Sequence, residues 1–260
     1  DGPIYTEWID RMRTYLAGEA KERHISKDAA MLAAEDLCLD AGVDLLFHHH
    51  LADVLVTDRA VDALVLFSKS GLTAAKGQVF IDCTGDADLA ARAGCEIEEG
   101  GPSGHCQPMT LCFKLGGIDR PRVPDRDEIN RRYDEARERG EIECTRENVL
   151  FFDWLEPDVV HFNTTRIIHR SGTSGSDLSA AELEGRKQMR EFLRFFRTHV
   201  PGYENARIHS IAAHVGVRET RRVVGKTYLR REDFEEGRKF REAIARVRYP
   251  IDIHNPDGTG

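Results

Sequence analysis

The stretch from Gln78 to Gly94, Gln-Val-Phe-Ile-Asp-Cys-Thr-Gly-Asp-Ala-Asp-Leu-Ala-Ala-Arg-Ala-Gly, is the part of this chain with the fewest ways to fold. Gly77 resets the chain, and residues 78–82 then read as a buried strand. Thr84, Gly85 and Asp86 read as a turn, and residues 89–93 as a short helix closed by Gly94. A strand that passes through a glycine turn into a helix brings backbone N–H groups up to whatever lies at the strand's carboxyl end. Gly85 has no Cβ and permits close approach. Asp86 and Asp88 can accept hydrogen bonds from the hydroxyls of a ribose or another polyol chain. The plainer alternative is a βα turn with an aspartate as helix N-cap.

The flanking sequence sets the fold class. Helical spacing of Ile9, Met12 and Leu16 predicts a helix over residues 5–24. Ser26 is placed to cap a second helix over 27–40, with Met31, Leu32, Ala34, Leu37 and Cys38 on its apolar face and Gly42 closing it. An extended stretch over 43–48 precedes strands at 53–57, 61–67 and 72–74, separated by turns at Asp58-Arg59 and Ser70-Gly71, so residues 43–77 read as a β-meander. After a glycine-rich loop at 100–107, residues 108–115 read as a strand. Residues 120–148 are dense in Arg, Asp and Glu and predict an exposed helix with a solvated face. Trp154, Val159, Val160 and Phe162 open an extended piece ending in Asn163-Thr164-Thr165-Arg166-Ile167. Ser179 and Glu182 form a capping box for a helix to His199, with Leu183, Met189, Phe192, Leu193 and Phe196 on its apolar face. Residues 208–225 alternate like a strand and carry Arg218, Arg221 and Arg222. The fold class is therefore mixed α/β, in its α+β form, with one or two domains in 260 residues.

Composition removes some functions. Lys and Arg number 37 against 45 Asp and Glu, a formal charge of −8, which argues against nucleic acid or an anionic membrane as partner. No run of about 18 apolar residues is present to span a membrane. The first residues show neither a basic nor an apolar targeting region. The chain lacks an initiator Met and stops in a loop, which is the pattern expected of a fragment. Its six cysteines form no C-x-x-C pair, so they fit free thiols in a reducing, cytoplasmic setting.

Several segments in order resemble the FAD-dependent oxidoreductases of the glutathione-reductase-like superfamily, in the group that includes heterodisulfide-reductase-A-like flavoproteins. They are residues 79–94, Gln107-Pro108-Met109-Thr110-Leu111 with Leu115-Gly116-Gly117-Ile118-Asp119, Asn163 to Ile167, Gly216 to Gly225, and Asp252-Ile253-His254. The resemblance implies part of a Rossmann-like FAD-binding domain with a β-meander over residues 1–100, the T-G-D turn lying at 83–88. It implies an α+β substrate or cap domain over 101–204 and a truncated return segment toward the flavin over 205–260. It implies FAD as cofactor, held by Thr84, Gly85, Asp86 and Asp88, with the turn near the pyrophosphate and ribityl chain. The family's opening G-x-G-x-x-G is absent here. The expectation is therefore an internal piece of a longer flavoprotein that alone binds FAD weakly or not at all. Some relatives are associated with iron–sulfur clusters, but the cysteine spacing supports none here.

Within that resemblance, flavin performs the hydride or electron transfer and the protein supplies position and charge. Arg218 and Arg222 are the candidate cations near the flavin, sharing one face if residues 218–222 form a strand. Asp252 and His254 share a face on an extended chain, and His254 could move a proton. Arg166, with Asn163, could hold a substrate carboxylate in a bidentate pair. No metal site is expected, since His48-His49-His50 alternate across a strand end. The partner is a small-molecule substrate, with a second copy of the chain or the rest of the same polypeptide as protein neighbour. Two other readings stand beside the flavoenzyme. One is a metal-dependent hydrolase built on Asp252, His254, His209 and His214, which lacks a ligand-spaced motif such as H-E-x-x-H. The other is a non-catalytic remnant of a flavoprotein.

Overall fold

The computed structural model describes residues 2–16, 25–245 and 249–258. They divide into two compact units. One comprises residues 1–96 and 223–252, the other 97–222 and 253–260.

In the first unit, helix α1 (Pro3–Thr14) starts on a proline at its first turn, where the missing N–H costs nothing. Residues 17–24 of the helix expected there lie outside the described residues. Helix α2 (Lys27–Asp40) begins at Ser26, whose hydroxyl accepts the Ala29 N–H at 3.5 Å, and Gly42 closes it at φ 72°. Its buried face is Ala29 and Ala33, one turn apart, packed with Met12. Met31 and Leu32, expected on that face, are exposed. Small residues let the two helices approach, and the Trp8 indole N–H donates to the Ala30 carbonyl at 2.9 Å.

The meander forms as the pattern predicts, with β1 (His50–Thr57), β2 (Ala60–Ser68) and β3 (Gly71–Lys76) antiparallel in that order. Asp58 and Arg59 both take positive φ, 49° and 66°, the handedness a two-residue hairpin needs to match strand twist. The extended stretch expected over 43–48 ends instead in a turn at Phe47-His48, and the strand starts at His50. Residues 78–82 also differ from expectation. They run without strand pairing, with Val79 and Ile81 at 79% and 80% exposure. An alternating apolar run becomes a strand only when a neighbour satisfies its N–H and C=O groups, and none pairs with it among the described residues. Helix α3 (Asp88–Arg92) follows and ends before Gly94, φ 80°.

The second unit is built on an antiparallel four-stranded sheet. Its strands are β5 (Phe113–Gly116), β6 (Phe151–Asp153), β7 (Val160–Phe162) and β8 (Arg207–Ile211), in the order β6-β7-β5-β8. A separate short ladder joins β4 (Ile97–Glu99) to β9 (Arg221–Val223). Two helices, α4 (Arg126–Glu138) and α5 (Gly175–His199), complete the core. Despite its charge, α4 is not merely solvated. It buries Ile129, Tyr133 and Ala136, the i, i+4, i+7 stripe, and Tyr133 stacks on Phe192 of α5 at 5.6 Å. Phe113 stacks on Phe162 at 5.0 Å, and Phe162 meets Phe196 at 4.8 Å, so aromatic contacts run continuously from sheet to helices. Each such side chain removed from water contributes about 1.5–3 kcal/mol.

Helix α5 starts earlier than the capping-box pattern suggests. Ser174 is the N-cap, its hydroxyl accepting the Asp177 N–H at 3.3 Å, and Ser179 lies inside the helix. Glu182 instead accepts the Val215 N–H at 2.6 Å, and Leu183, expected in the apolar face, is 66% exposed. A Cβ added at Gly185 would stand 2.8 Å from the Leu111 Cβ, which explains a glycine in mid-helix. The first unit then resumes with α6 (Arg231–Glu235).

Candidate functional site

In the first unit, the T-G-D turn is organised by a residue that sequence reasoning passed over. One oxygen of Asp82 accepts the Thr84 N–H at 3.0 Å and the Thr84 hydroxyl at 2.7 Å. The other accepts the N–H groups of Leu89 and Ala90 at 3.1 and 3.0 Å, and Thr84 Oγ1 accepts the Asp88 N–H at 3.0 Å. Burial pushes the Asp82 carboxyl up, but the bonds from Ala90, Thr84 and Leu89 outweigh it and hold its pKa below the ordinary value. The helix N-terminus thus already carries an internal anion. The aspartate N-cap alternative was close in chemistry but misplaced, since Ala87 occupies the cap position in the left-handed region. The signal for Asp82 was the Asp-x-Thr spacing before the glycine, which makes a side-chain turn.

Gly85 sits at φ 84° with nothing within 4 Å of where a Cβ would stand. Thr84 and Gly85 are exposed, and Asp86 and Asp88 half-buried. Asp88 pairs with Arg92 at 2.8 Å, and Arg92 also donates to the Ala52 carbonyl of β1. This arrangement suits FAD in one respect and resists it in another. An open turn with carboxylates can meet ribityl hydroxyls. A helix start whose Leu89 and Ala90 N–H groups point at Asp82 repels a phosphate.

In the second unit, each residue of the Asn163–Ile167 motif is held. The Asn163 N–H donates to the Leu150 carbonyl at 3.0 Å. Thr164 Oγ1 accepts the Leu150 N–H at 3.3 Å, and Thr165 Oγ1 accepts the Leu111 N–H at 2.7 Å while donating to its carbonyl at 3.1 Å. The backbone of Arg166 lies in a two-point clamp. Gln188 Oε1 accepts the Arg166 N–H at 2.8 Å, and Gln188 Nε2 donates to the Arg166 carbonyl at 2.9 Å. Arg166 is 3% exposed, and its guanidinium donates to the Gly258 carbonyl.

Around Arg166 the structure gathers other charges. Arg146, unnoticed in the charged stretch of the sequence, has its pKa lowered by burial first and then by the charges of Arg166 and Arg218. Arg218 and Arg222 do not share a strand face, because β9 begins only at Arg221. Arg222 binds Glu219 and the Gly100 carbonyl, and Glu219 accepts the Gln107 N–H, so this arginine ties down the glycine-rich loop. The His254 N–H donates to Gln107 Oε1 at 2.9 Å, and Asp252 is exposed in the first unit's last segment.

A second cluster was invisible in sequence. Phe152, His161, Lys114 and Ser210 are cross-strand neighbours on the sheet face opposite Phe113 and Phe162. Lys114 Nζ lies 3.4 Å from the centroid of the Trp154 ring, and Trp154 and Phe152 flank the His161 ring at 5.6 and 6.2 Å. Burial, then the Lys114 charge, lowers the His161 pKa, and its Nδ1 is buried with no hydrogen-bond partner. Only period-2 alternation within β5 and β7 could have hinted at this face.

Among the described residues, no group of three or more His, Cys, Asp or Glu is placed to hold a metal ion. His209 lies exposed on β8, and His214 is solvent-facing at 3.9 Å from Glu182, so the hydrolase cluster does not assemble there. The six cysteines are free thiols. No described helix is long and apolar enough to cross a membrane.

An open glycine turn thus lies in the first unit, and the clamped Arg166 lies in the second. A family model for FAD dependent oxidoreductases matches residues 2–260, and the chain belongs to that family. No curated protein matches it. Among solved structures it is similar to the OxyS anhydrotetracycline hydroxylase from Streptomyces rimosus, at 14% identity and a TM-score of 0.38. The similarity covers 62% of this chain and 29% of that one, so the chain spans less than a third of the hydroxylase's length.

Proposed function

We propose that this chain contributes to an FAD-dependent oxidoreductase that transfers hydride or electrons, through the flavin, to or from a small organic substrate. The observation that carries the reading is the family match along the whole chain, residues 2–260. Bound FAD supplies the redox chemistry, and the chain's residues supply position and electrostatics. Thr84, Gly85, Asp86 and Asp88 would hold the cofactor. Since Asp82 already accepts the Leu89 and Ala90 N–H groups at the start of α3, Asp86 would serve hydroxyl groups of the cofactor and not its phosphates. In the second unit, Arg166 with Asn163 would orient the substrate, and Arg218 would supply positive charge beside it. Arg222 would act indirectly, by fixing the glycine-rich loop through Gly100. His254 and Asp252 remain the candidates for proton movement.

The test is the visible spectrum of the full-length gene product. Flavin absorbance near stoichiometric, bleached by two-electron reduction, is the expected result, with Asp86→Ala weakening FAD retention by about ten-fold for a lost charge-assisted hydrogen bond. A colourless protein that shows no flavin spectral shift at saturating FAD overturns the proposal.

A further inference from the structure

The sheet of the second unit holds an imidazole with one ring nitrogen that bonds to nothing. Phe152, His161, Lys114 and Ser210 stand in one row across β6, β7, β5 and β8, on the face away from Phe113 and Phe162. His161 itself is half-buried, but its Nδ1 is fully buried and has no hydrogen-bond partner among the described residues. A buried polar atom left in that state is rare and asks for a reason. Two rings flank it. Trp154 lies 5.6 Å from the imidazole at an interplanar angle of 35°, and Phe152 lies 6.2 Å away at 36°. Lys114 Nζ sits 3.4 Å from the centroid of the same indole.

A neutral imidazole fits this cluster and an imidazolium does not. In the imidazolium both ring nitrogens donate, so Nδ1 would carry a proton with no acceptor. Protonation would also bring a second cation to an indole that Lys114 already covers. Burial and the Lys114 charge both act against that proton. No described carboxylate bonds the imidazole. Asp153, next to Phe152 on β6, takes the opposite alternation and pairs with Arg120. Beyond Trp154, Glu156 is exposed, and Asp158 accepts the Gly117 N–H at 3.0 Å. On β8, His209 falls at the register shift and is exposed, with its Cβ and Nδ1 3.6 Å from where a Gly116 Cβ would stand. On β5, burial raises the pKa of the Cys112 thiol, two residues before Lys114, and keeps it uncharged.

The part that can yield is the indole. Phe152 and Lys114 are each fixed by ladder pairing with His161. Trp154 follows the last residue of β6 and opens a segment, residues 154–159, with no helix or strand. Turning that side chain outward would let water reach Nδ1. We propose that Trp154 is an acid-operated latch on this sheet face: when His161 takes up a proton, the indole is released and the face of Phe152 and His161 opens to solvent. The closed form binds the proton less readily than the open form. It is therefore favoured above the ordinary imidazole pKa and loses stability as pH falls below it.

The chain has two tryptophans, so a Trp8→Phe parent reports Trp154 alone. Its fluorescence and acrylamide quenching are followed from mildly alkaline to mildly acid pH. The open-to-closed ratio should rise by up to about ten-fold per pH unit below the ordinary imidazole pKa, the effect of one proton. It is read as stronger quenching and a red-shifted emission, with constant far-UV circular dichroism. His161→Phe keeps a ring and takes up no proton, and His161→Gln keeps a polar group. Both, made in the parent and checked by circular dichroism, should give quenching that is flat with pH. A flat profile in the parent overturns the latch without recourse to any His161 variant. A step that persists in the folded His161 variants belongs to another group and also overturns it, as does a step that coincides with loss of circular dichroism.

Discussion

The two units fix their candidate functional residues by different physics. In the second, Arg166 and the tyrosine that carries Arg146 hang from a core in which Phe113, Phe162, Phe192, Phe196 and Tyr133 touch one another in sequence. In the first, among the described residues, the buried apolar contact between helices consists of Met12, Ala29 and Ala33 with a few partly buried neighbours, and Val79 and Ile81 stand in solvent. There the T-G-D turn keeps its shape through a single carboxylate that accepts four bonds. Packing spreads a position over many weak contacts. Capping concentrates it in one residue, so a unit of the second kind is open to one mutation and to pH.

The largest expected effect breaks the packed unit. Phe192→Ala removes a fully buried ring that contacts both Tyr133 and Phe113, and it should cost about 3–5 kcal/mol. Urea unfolding followed by amide exchange should show the loss in α4, α5 and the four-stranded sheet, with the meander amides of β1 to β3 unchanged. Equal loss of protection in the meander would show that the two units do not unfold independently and would erase the contrast.

A smaller effect tests the capped unit. Asp82→Ala frees the N–H groups of Thr84, Leu89 and Ala90 and should cost about 1–2 kcal/mol, as other N-terminal caps do. Because the folded-state pKa of Asp82 is lowered, its contribution is present above the ordinary carboxylate pKa and is lost as pH falls through the depressed value. The protection of the Leu89 and Ala90 amides, taken as their exchange relative to the intrinsic rate at each pH from neutral to acid, should therefore fall below the usual carboxylate range in the native protein. In Asp82→Ala that protection should be low throughout, with no such step. A native profile without that step would remove the role assigned to Asp82.

What the sequence disclosed follows the same division between local and distant causes. The meander was legible because its signals are local, alternating apolar residues with turns at Asp58-Arg59 and Gly71. Helix α2 was legible to the residue, from Ser26 to Gly42. The strand over 78–82 was not, because its alternation says what the chain could pair with and not whether a neighbour is there. Lys114, His161 and Trp154 meet only through the β5–β7 ladder, whose strands are far apart in the chain, so no window of sequence shows them together. Arg166 was singled out by its motif, but its burial and the clamp from Gln188 are tertiary facts. Arg146 sat in a stretch where charge is the rule, and only the fold distinguishes it from the arginines that face water.

The smallest effect compares the same device in both units. Ser174 caps α5 through the Asp177 N–H at 3.3 Å, whereas Ser26 caps α2 through the Ala29 N–H at 3.5 Å, the long limit of such a bond. Ser174→Ala should cost about 1 kcal/mol, and Ser26→Ala only a few tenths. Ser179, the serine that the sequence pattern favoured, lies within α5, where alanine is the better helix former, so Ser179→Ala should be neutral or stabilising by about 0.5 kcal/mol. Thermal unfolding of the three variants ranks them directly. If Ser179→Ala is the most damaging, the helix begins at the Ser179-Glu182 box, and Glu182 is then spent on capping rather than on the Val215 N–H that leads into the arginine-bearing segment. If Ser26→Ala matches Ser174→Ala, the first unit relies on its helix caps as heavily as the second, and its weakness lies in the T-G-D turn alone.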